Sequence, residues 1–258
     1  MGMRYTERLS KRIQTVGAPL CVGLDPRPER LTGGLPEVEA HLQQVIEQTT
    51  EYAAAFKPNL AYFEAMGLEG LSMLERVIDF IPAEVPIVLD AKRSDIGETQ
   101  RYYAKAYFEH YKVDSVTLNP FMGFDSIEPF LGYEGKGVYL LALTSNAGSA
   151  DLMRKEVEGR PMYLHVADFA QRAQDYPTDV GFVMGLTNLG IDEVALFPDY
   201  PLLVPGLGAQ GGDLSALTAG AQRVAPNLVN ASRAVLFPEQ GTHAEAAAAC
   251  AAQLKALI

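Results

Sequence analysis

A single α/β domain over residues 1–258, a TIM (β/α)8 barrel, is the fold this sequence predicts, on three observations. Short apolar runs alternate with amphipathic stretches about eight times, they recur every 20 to 41 residues or so, and no linker or break in composition divides the chain. The competing architecture is an open doubly wound sheet. It lacks its usual dinucleotide signature here, because no Gly-x-Gly-x-x-Gly follows the first apolar run. A chain of 258 residues buries roughly three-quarters of its extended surface, and its 23 Gly and 16 Pro suit many tight connections.

The elements follow in order. Residues 19–25, Pro-Leu-Cys-Val-Gly-Leu-Asp, form a short apolar run ending in a charge, the pattern of a buried parallel strand. The same reading places strands at 53–58, 86–90, 114–118, 137–143, 180–185, 201–204 and 227–231. Between them, segments 37–52, 68–80, 97–112, 161–175, 189–196, 213–224 and 242–257 are amphipathic and long enough for helices.

Composition narrows the partners. A formal charge of −11 sets the average surface field against polyphosphate, so neither nucleic acid nor an anionic membrane is expected as a partner. The first residues carry no apolar signal core and no stretch approaches the roughly 18 apolar residues of a membrane span, so a cytoplasmic location is expected. Cys21, in an apolar run, and Cys250, in an Ala-rich segment, read as packing residues. His41, His110, His165 and His243 are scattered, no Cys/His cluster has zinc spacing, and no metal is expected.

In a barrel, function gathers at the carboxyl ends of the strands, where the polar residues are Asp25, Lys57, Asp90 with Lys92, Asn119, Thr144 with Ser145, Gln210 and Arg233. Residues 85–99 are the most telling. An apolar run ends abruptly in Asp90, Lys92 and Asp95, with Thr99 just beyond. Side chains alternate along a strand, so Asp90 and Lys92 point the same way, and Asp95 falls near a helix start. Lys57 and Lys92 can then flank Asp90 with Asp95 nearby, an alternating array in which each charge is held ionised by opposite neighbours. An ionised Lys92 is a proton donor, whereas a Schiff-base lysine needs apolar or like-charged surroundings.

Residues 205–213, Pro-Gly-Leu-Gly-Ala-Gln-Gly-Gly-Asp, precede a helix and follow the seventh strand, and Arg233 follows the eighth. Glycine backbone, a helix start and a guanidinium in those two loops suit a phosphate. Singly, each feature also reads as a solvated cap, a plain turn or a surface ion pair. Their conjunction points to a phosphorylated small molecule as substrate.

These motifs resemble the orotidine 5′-phosphate decarboxylase family. The likeness runs through Val-Gly-Leu-Asp-Pro (22–26), Phe-Lys-Pro-Asn (56–59), Leu-Asp-Ala-Lys-Arg-Ser-Asp-Ile-Gly-Glu-Thr (89–99) and the loop at 205–213. Asn-Pro-Phe-Met-Gly-Phe-Asp-Ser-Ile-Glu-Pro-Phe (119–130) and Leu-Thr-Ser-Asn (143–146) resemble its longer bacterial branch, type 2. The resemblance implies decarboxylation of orotidine 5′-phosphate to UMP in pyrimidine synthesis, without a cofactor. Lys57, Asp90, Lys92 and Asp95 would be the charged tetrad, Lys92 the proton donor to C6 and Asp90 the neighbour of the departing carboxylate. Asp25, Lys57 and Thr99 would meet ribose hydroxyls, and Ser145 the pyrimidine. Gln210, the Gly211 backbone and Arg233 would hold phosphate. Asp95, Ile96 and Thr99 would reach a second subunit's site, which implies a two-fold homodimer. One departure is the run Asn230-Ala231-Ser232-Arg233, where many relatives have Gly before the Arg.

Two other functions fit parts of this pattern. A Mg2+-dependent 3-keto-L-gulonate 6-phosphate decarboxylase shares the Asp-x-Lys-x-x-Asp pattern but carries an acid on the second strand, where this chain has Lys57. A non-catalytic nucleotide-binding barrel would not need the complete set of charges.

Overall fold

The computed structural model describes residues 2–185, 193–194, 196–207, 217 and 223–258. The strands are β1 (Leu20–Leu24), β2 (Ala55–Pro58), β3 (Val88–Arg93), β4 (Ser115–Leu118), β5 (Gly137–Leu143), a hairpin of β6 (Glu156–Val157) and β7 (Arg160–Pro161), then β8 (Asp179–Met184), β9 (Leu202–Pro205) and β10 (Asn227–Ala231). Eight of them form one parallel sheet in the order β2-β1-β10-β9-β8-β5-β4-β3. Bridges Phe56–Ile87 and Asn59–Asp90 bring its two ends together, so the sheet closes as a TIM barrel.

Strand parity sorts the side chains. Leu20, Val22, Phe56, Leu89, Val116, Leu140, Phe182 and Val229 face outward into the main core beneath the helices. Their neighbours Cys21, Ala55, Val88, Tyr139, Val183, Leu203 and Leu228 face inward and form a second cluster inside the barrel. Continued one or two steps toward the carboxyl ends, the inward rows arrive at Asp25, Lys57, Asp90, Thr117 and Asn230. Alternation therefore builds an apolar interior with a polar rim.

A helix that the sequence reading did not include, α1 (Tyr5–Val16), closes the opposite end. Its stretch is mostly polar, but Tyr5, Leu9 and Ile13 recur every four residues on one buried stripe that joins the interior cluster. The Glu7 carboxylate accepts the Arg4 N–H at 2.9 Å, and Gly17 ends the helix at φ 69°, where a side chain would strain. The Tyr5 and Tyr139 hydroxyls lie 3.2 Å apart and Ser115 donates to Tyr5 at 3.1 Å, so the floor is hydrogen-bonded as well as packed.

Among the described residues the remaining α-helices are α2 (Gly34–Thr49), α3 (Leu60–Glu64), α4 (Gly67–Phe80), α5 (Gly97–Lys105), α6 (Ser149–Leu152), α7 (Met162–Arg172), α8 (Arg233–Leu236) and α9 (His243–Leu254). Two expectations needed correction. The helix expected over 97–112 is α-helical only to Lys105 and continues as a π-helical turn over Ala106–His110. The strand expected to end at Asp90 runs on to Arg93, because pairing with β4 resumes at Arg93–Leu118 after a bulge. Most of the helices expected at 189–196 and 213–224 lies outside the described residues. Among the described residues no helix is long and apolar enough to cross a membrane.

Candidate active site

Asp90 is the centre of the rim. Its Oδ2 accepts from Lys57 Nζ at 2.8 Å, and its Oδ1 accepts from Lys92 Nζ at 2.7 Å and from Thr117 Oγ1 at 2.9 Å. The Lys57 and Asp90 side chains are 6% and 10% exposed, whereas Lys92 is 50% exposed. Of the two ammonium groups on Asp90, Lys92 alone is thus open to a ligand.

The charges explain one another. Burial by itself would raise the Asp90 carboxyl, but the ammonium groups of Lys57 and Lys92 outweigh it and hold that carboxyl well below the usual carboxylate range. Burial likewise opposes the charge on Lys57, and the neighbouring Asp90 and Asp25 carboxylates overcome it and push its ammonium well above the ordinary lysine range. Beneath them, burial pushes the Cys21 thiol up to about 12, so it stays protonated. A buried pair of this kind is costly to break, since removing one partner leaves the other charge stranded at about 3–5 kcal/mol.

The bulge in β3 shapes the loop that follows. Register passes from Leu89–Val116 to Arg93–Leu118, and Lys92 takes a left-handed φ of 46°, strained for a side-chain-bearing residue. Its N–H, turned from the ladder, donates to Thr117 Oγ1 at 2.9 Å. Arg93 is anchored by the Tyr107 hydroxyl at 2.7 Å and lies over the Tyr103 ring, 4.3 Å from its centroid.

Asp95 does not join this cluster within one chain. Its Oδ1 accepts the Ile96 N–H at 2.8 Å in the turn before α5, Ile96 is 58% exposed, and Thr99 is exposed on the first turn of α5. Lys57, Asp90 and Lys92 therefore meet, and the fourth member of the expected tetrad, half-buried Asp95, holds the turn beside exposed Ile96 and Thr99.

On the other side of the rim, Ser232 donates to Asp25 Oδ2. Asp25 Oδ1 and Asn230 Oδ1 are buried without a hydrogen-bond partner among the described residues. Gly23 is needed where these elements touch, because a Cβ there would lie 2.8 Å from the Ser232 Cβ. Ser145 follows β5 against the Gly185 backbone, where an added Cβ would come within 2.5 Å of the Ser145 nitrogen. Arg233 opens α8, is exposed, and lines a cavity of about 590 Å3 with Arg30, Phe237 and Glu239. Gln210 and Gly211 lie outside the described residues.

Sequence reasoning missed Thr117 and Ser232. Thr117 was discoverable from parity, since Val116 and Leu118 face out and the residue between them must face in. Ser232 carried no such signal, because it lies beyond the end of β10. Among the described residues no three His, Cys, Asp or Glu gather to hold a metal ion, and both Asp90 oxygens are already engaged by ammonium groups.

Fold and rim together define the class, a (β/α)8-barrel enzyme with a lysine–aspartate array at the carboxyl ends of its second and third strands. Comparison with known proteins places it more closely. Residues 18–249 match the model of the Orotidine 5′-phosphate decarboxylase / HUMPS family, and the chain belongs to that family. It is 43% identical to the orotidine 5′-phosphate decarboxylase of Verminephrobacter eiseniae, over 99% of this chain and 98% of that one. It is 45% identical to that of Roseiflexus sp., covering 89% and 87%. Its fold resembles the solved structure of Leishmania donovani OMP decarboxylase with a TM-score of 0.85 at 35% identity, covering 99% and 98% of the two chains.

Proposed function

We propose that this chain decarboxylates orotidine 5′-phosphate to UMP and CO2 in de novo pyrimidine synthesis, with no metal or cofactor. The observation that carries the reading is Asp90 pinned between a buried Lys57 and a half-exposed Lys92. The bond from C6 to its carboxylate breaks, CO2 leaves, and the electron pair stays on C6 in the plane of the ring. Ring π-orbitals cannot take up that pair, so fixed charge must stabilise it. The Lys92 ammonium supplies both the charge and the proton that ends on C6, and water then reprotonates the amine. Asp90 sits beside the substrate's carboxylate, a repulsion relieved when neutral CO2 forms.

Binding draws on the rest of the rim. The Asp25 oxygen that has no partner among the described residues suits a ribose hydroxyl, with Lys57 and Thr99 of the second copy beside it, and Ser145 meets the pyrimidine. Arg233, which makes no ion pair among the described residues, takes the phosphate with Gln210 and the Gly211 backbone. Asp95, Ile96 and Thr99 complete the site of a second copy in a homodimer, a role that the exposure of Ile96 and Thr99 supports, and the enzyme works in the cytoplasm. The Mg2+-dependent reading needs an acid where Lys57 lies 2.8 Å from Asp90, and a cation there repels the metal. Loss of orotidine absorbance in the presence of EDTA tests the choice. Undiminished turnover is expected, and a strict requirement for a divalent ion overturns the proposal.

A further inference from the structure

We propose that Thr117 is a positioning residue that fixes Asp90 and Lys92 relative to each other, an inference that rests on Lys92 being the proton donor. Thr117 is 1% exposed on the inward face of β4. A hydroxyl has one hydrogen to give and lone pairs to accept, and this one uses both. Its Oγ1 donates to Asp90 Oδ1 at 2.9 Å and accepts the Lys92 backbone N–H at 2.9 Å. One side-chain atom thereby ties the carboxylate of the array to the backbone of its proton donor.

The bulge makes that tie necessary. Between Leu89–Val116 and Arg93–Leu118 the β3 strand spends four residues where β4 spends two, so the ladder has no backbone partner for Lys92. A half-buried N–H without a partner is unfavourable, and φ 46° is a conformation that persists only where the surroundings hold it. Thr117 supplies the missing acceptor. The same hydroxyl settles the carboxylate, because by bonding Oδ1 it leaves Oδ2 for Lys57 and keeps Oδ1 turned toward Lys92. Without it the Asp90 carboxylate is held by the two ammonium groups alone and the Lys92 backbone N–H loses its acceptor, so the bulge can relax and move the ammonium away from the reacting carbon. Small displacements of a reacting group are costly in rate even where binding is preserved.

The test compares Thr117→Val, which keeps the shape and removes the hydroxyl, with Thr117→Ser, which keeps the hydroxyl and removes a methyl. In steady-state decarboxylation of orotidine 5′-phosphate, Thr117→Val is expected to lower kcat at least tenfold with KM within threefold, and Thr117→Ser to restore kcat to within threefold of the parent. Wild-type kcat in Thr117→Val, or a serine variant as slow as the valine one, overturns the proposal. If the valine variant does not fold, Thr117→Ala against Thr117→Ser decides by the same criterion. Amide hydrogen exchange provides a readout independent of turnover. The Lys92 N–H should exchange at least tenfold faster in Thr117→Val while that of Leu118 is unchanged, and equal Lys92 rates defeat the tie. A parent enzyme that does not turn over orotidine 5′-phosphate would defeat the proposed function instead, and the exchange result would still decide the role of Thr117.

Discussion

The barrel holds a buried aspartate at each end, and they are secured in opposite ways. At the floor, Asp179 accepts from Arg4 Nε at 2.6 Å and from both the N–H and the hydroxyl of Thr6 at 2.8 Å. Those donors belong to the start of α1, so the contacts fasten a helix to the strands. At the rim, Asp90 accepts from three side chains on three different strands, and one donor, the Lys92 ammonium, is half exposed with N–H groups to spare. Similar burial and similar distances thus serve anchoring at one end and, on the proposed mechanism, proton transfer at the other. Exposure does not separate the two cases, since the Arg4 side chain is 52% exposed and that of Lys92 50%; the chemistry of the donor does, because a guanidinium stays protonated whereas an ammonium can give up a proton.

Substitutions at the two ends should separate the same way. Lys92→Ala should lower kcat by about 10^3-fold or more and leave Tm nearly unchanged, since it removes charge and proton together from a half-exposed site. Substantial residual turnover would assign the acid elsewhere. Arg233→Ala should lower kcat/KM at least tenfold, because grip on a remote phosphate helps to assemble the charged site. Unchanged kinetics would remove Arg233 from phosphate binding. Asp179→Ala should do the reverse of Lys92→Ala, costing about 1–3 kcal/mol of stability, read as a lower Tm, with kcat preserved. A large loss of kcat in that variant would break the contrast between floor and rim.

The smallest effect concerns pH. Asp90 is held below its usual range, so its contribution is present above the ordinary carboxylate pKa of about 3.9 and lost as pH falls below it. Lys57 is held above its usual range, so its contribution is complete below about 10.4 and lost as pH rises past that. The Tm penalty of Lys57→Met should therefore be constant from about pH 5 to 9 and shrink under more acidic conditions. A slope inside that window would mean that another group titrates against the pair.

Apolar runs bounded by charges gave away the barrel strands, because parallel strands covered on both faces must be continuously apolar. The run that ends in Asp90 and Lys92 gave away the centre of the site for the same reason. What stayed hidden depends on partners distant in sequence. The stripe of α1 makes sense only once the barrel interior exists for Tyr5, Leu9 and Ile13 to cover. The bulge in β3 arises from pairing with β4, so the extension to Arg93 and the strained Lys92 backbone were invisible in the strand's own residues. Thr117 looked like an ordinary strand former because β-branched residues are common there whatever their hydroxyls do.

The sealed floor has a consequence for traffic. With Tyr5 pressed onto Gly137, where a Cβ would come within 2.5 Å of its ring, and α1 lying across the strand ends, the described barrel is a blind-ended vessel. Among the described residues, access to the charged rim is therefore from the carboxyl face, since the floor is covered and the interior between them is packed with side chains.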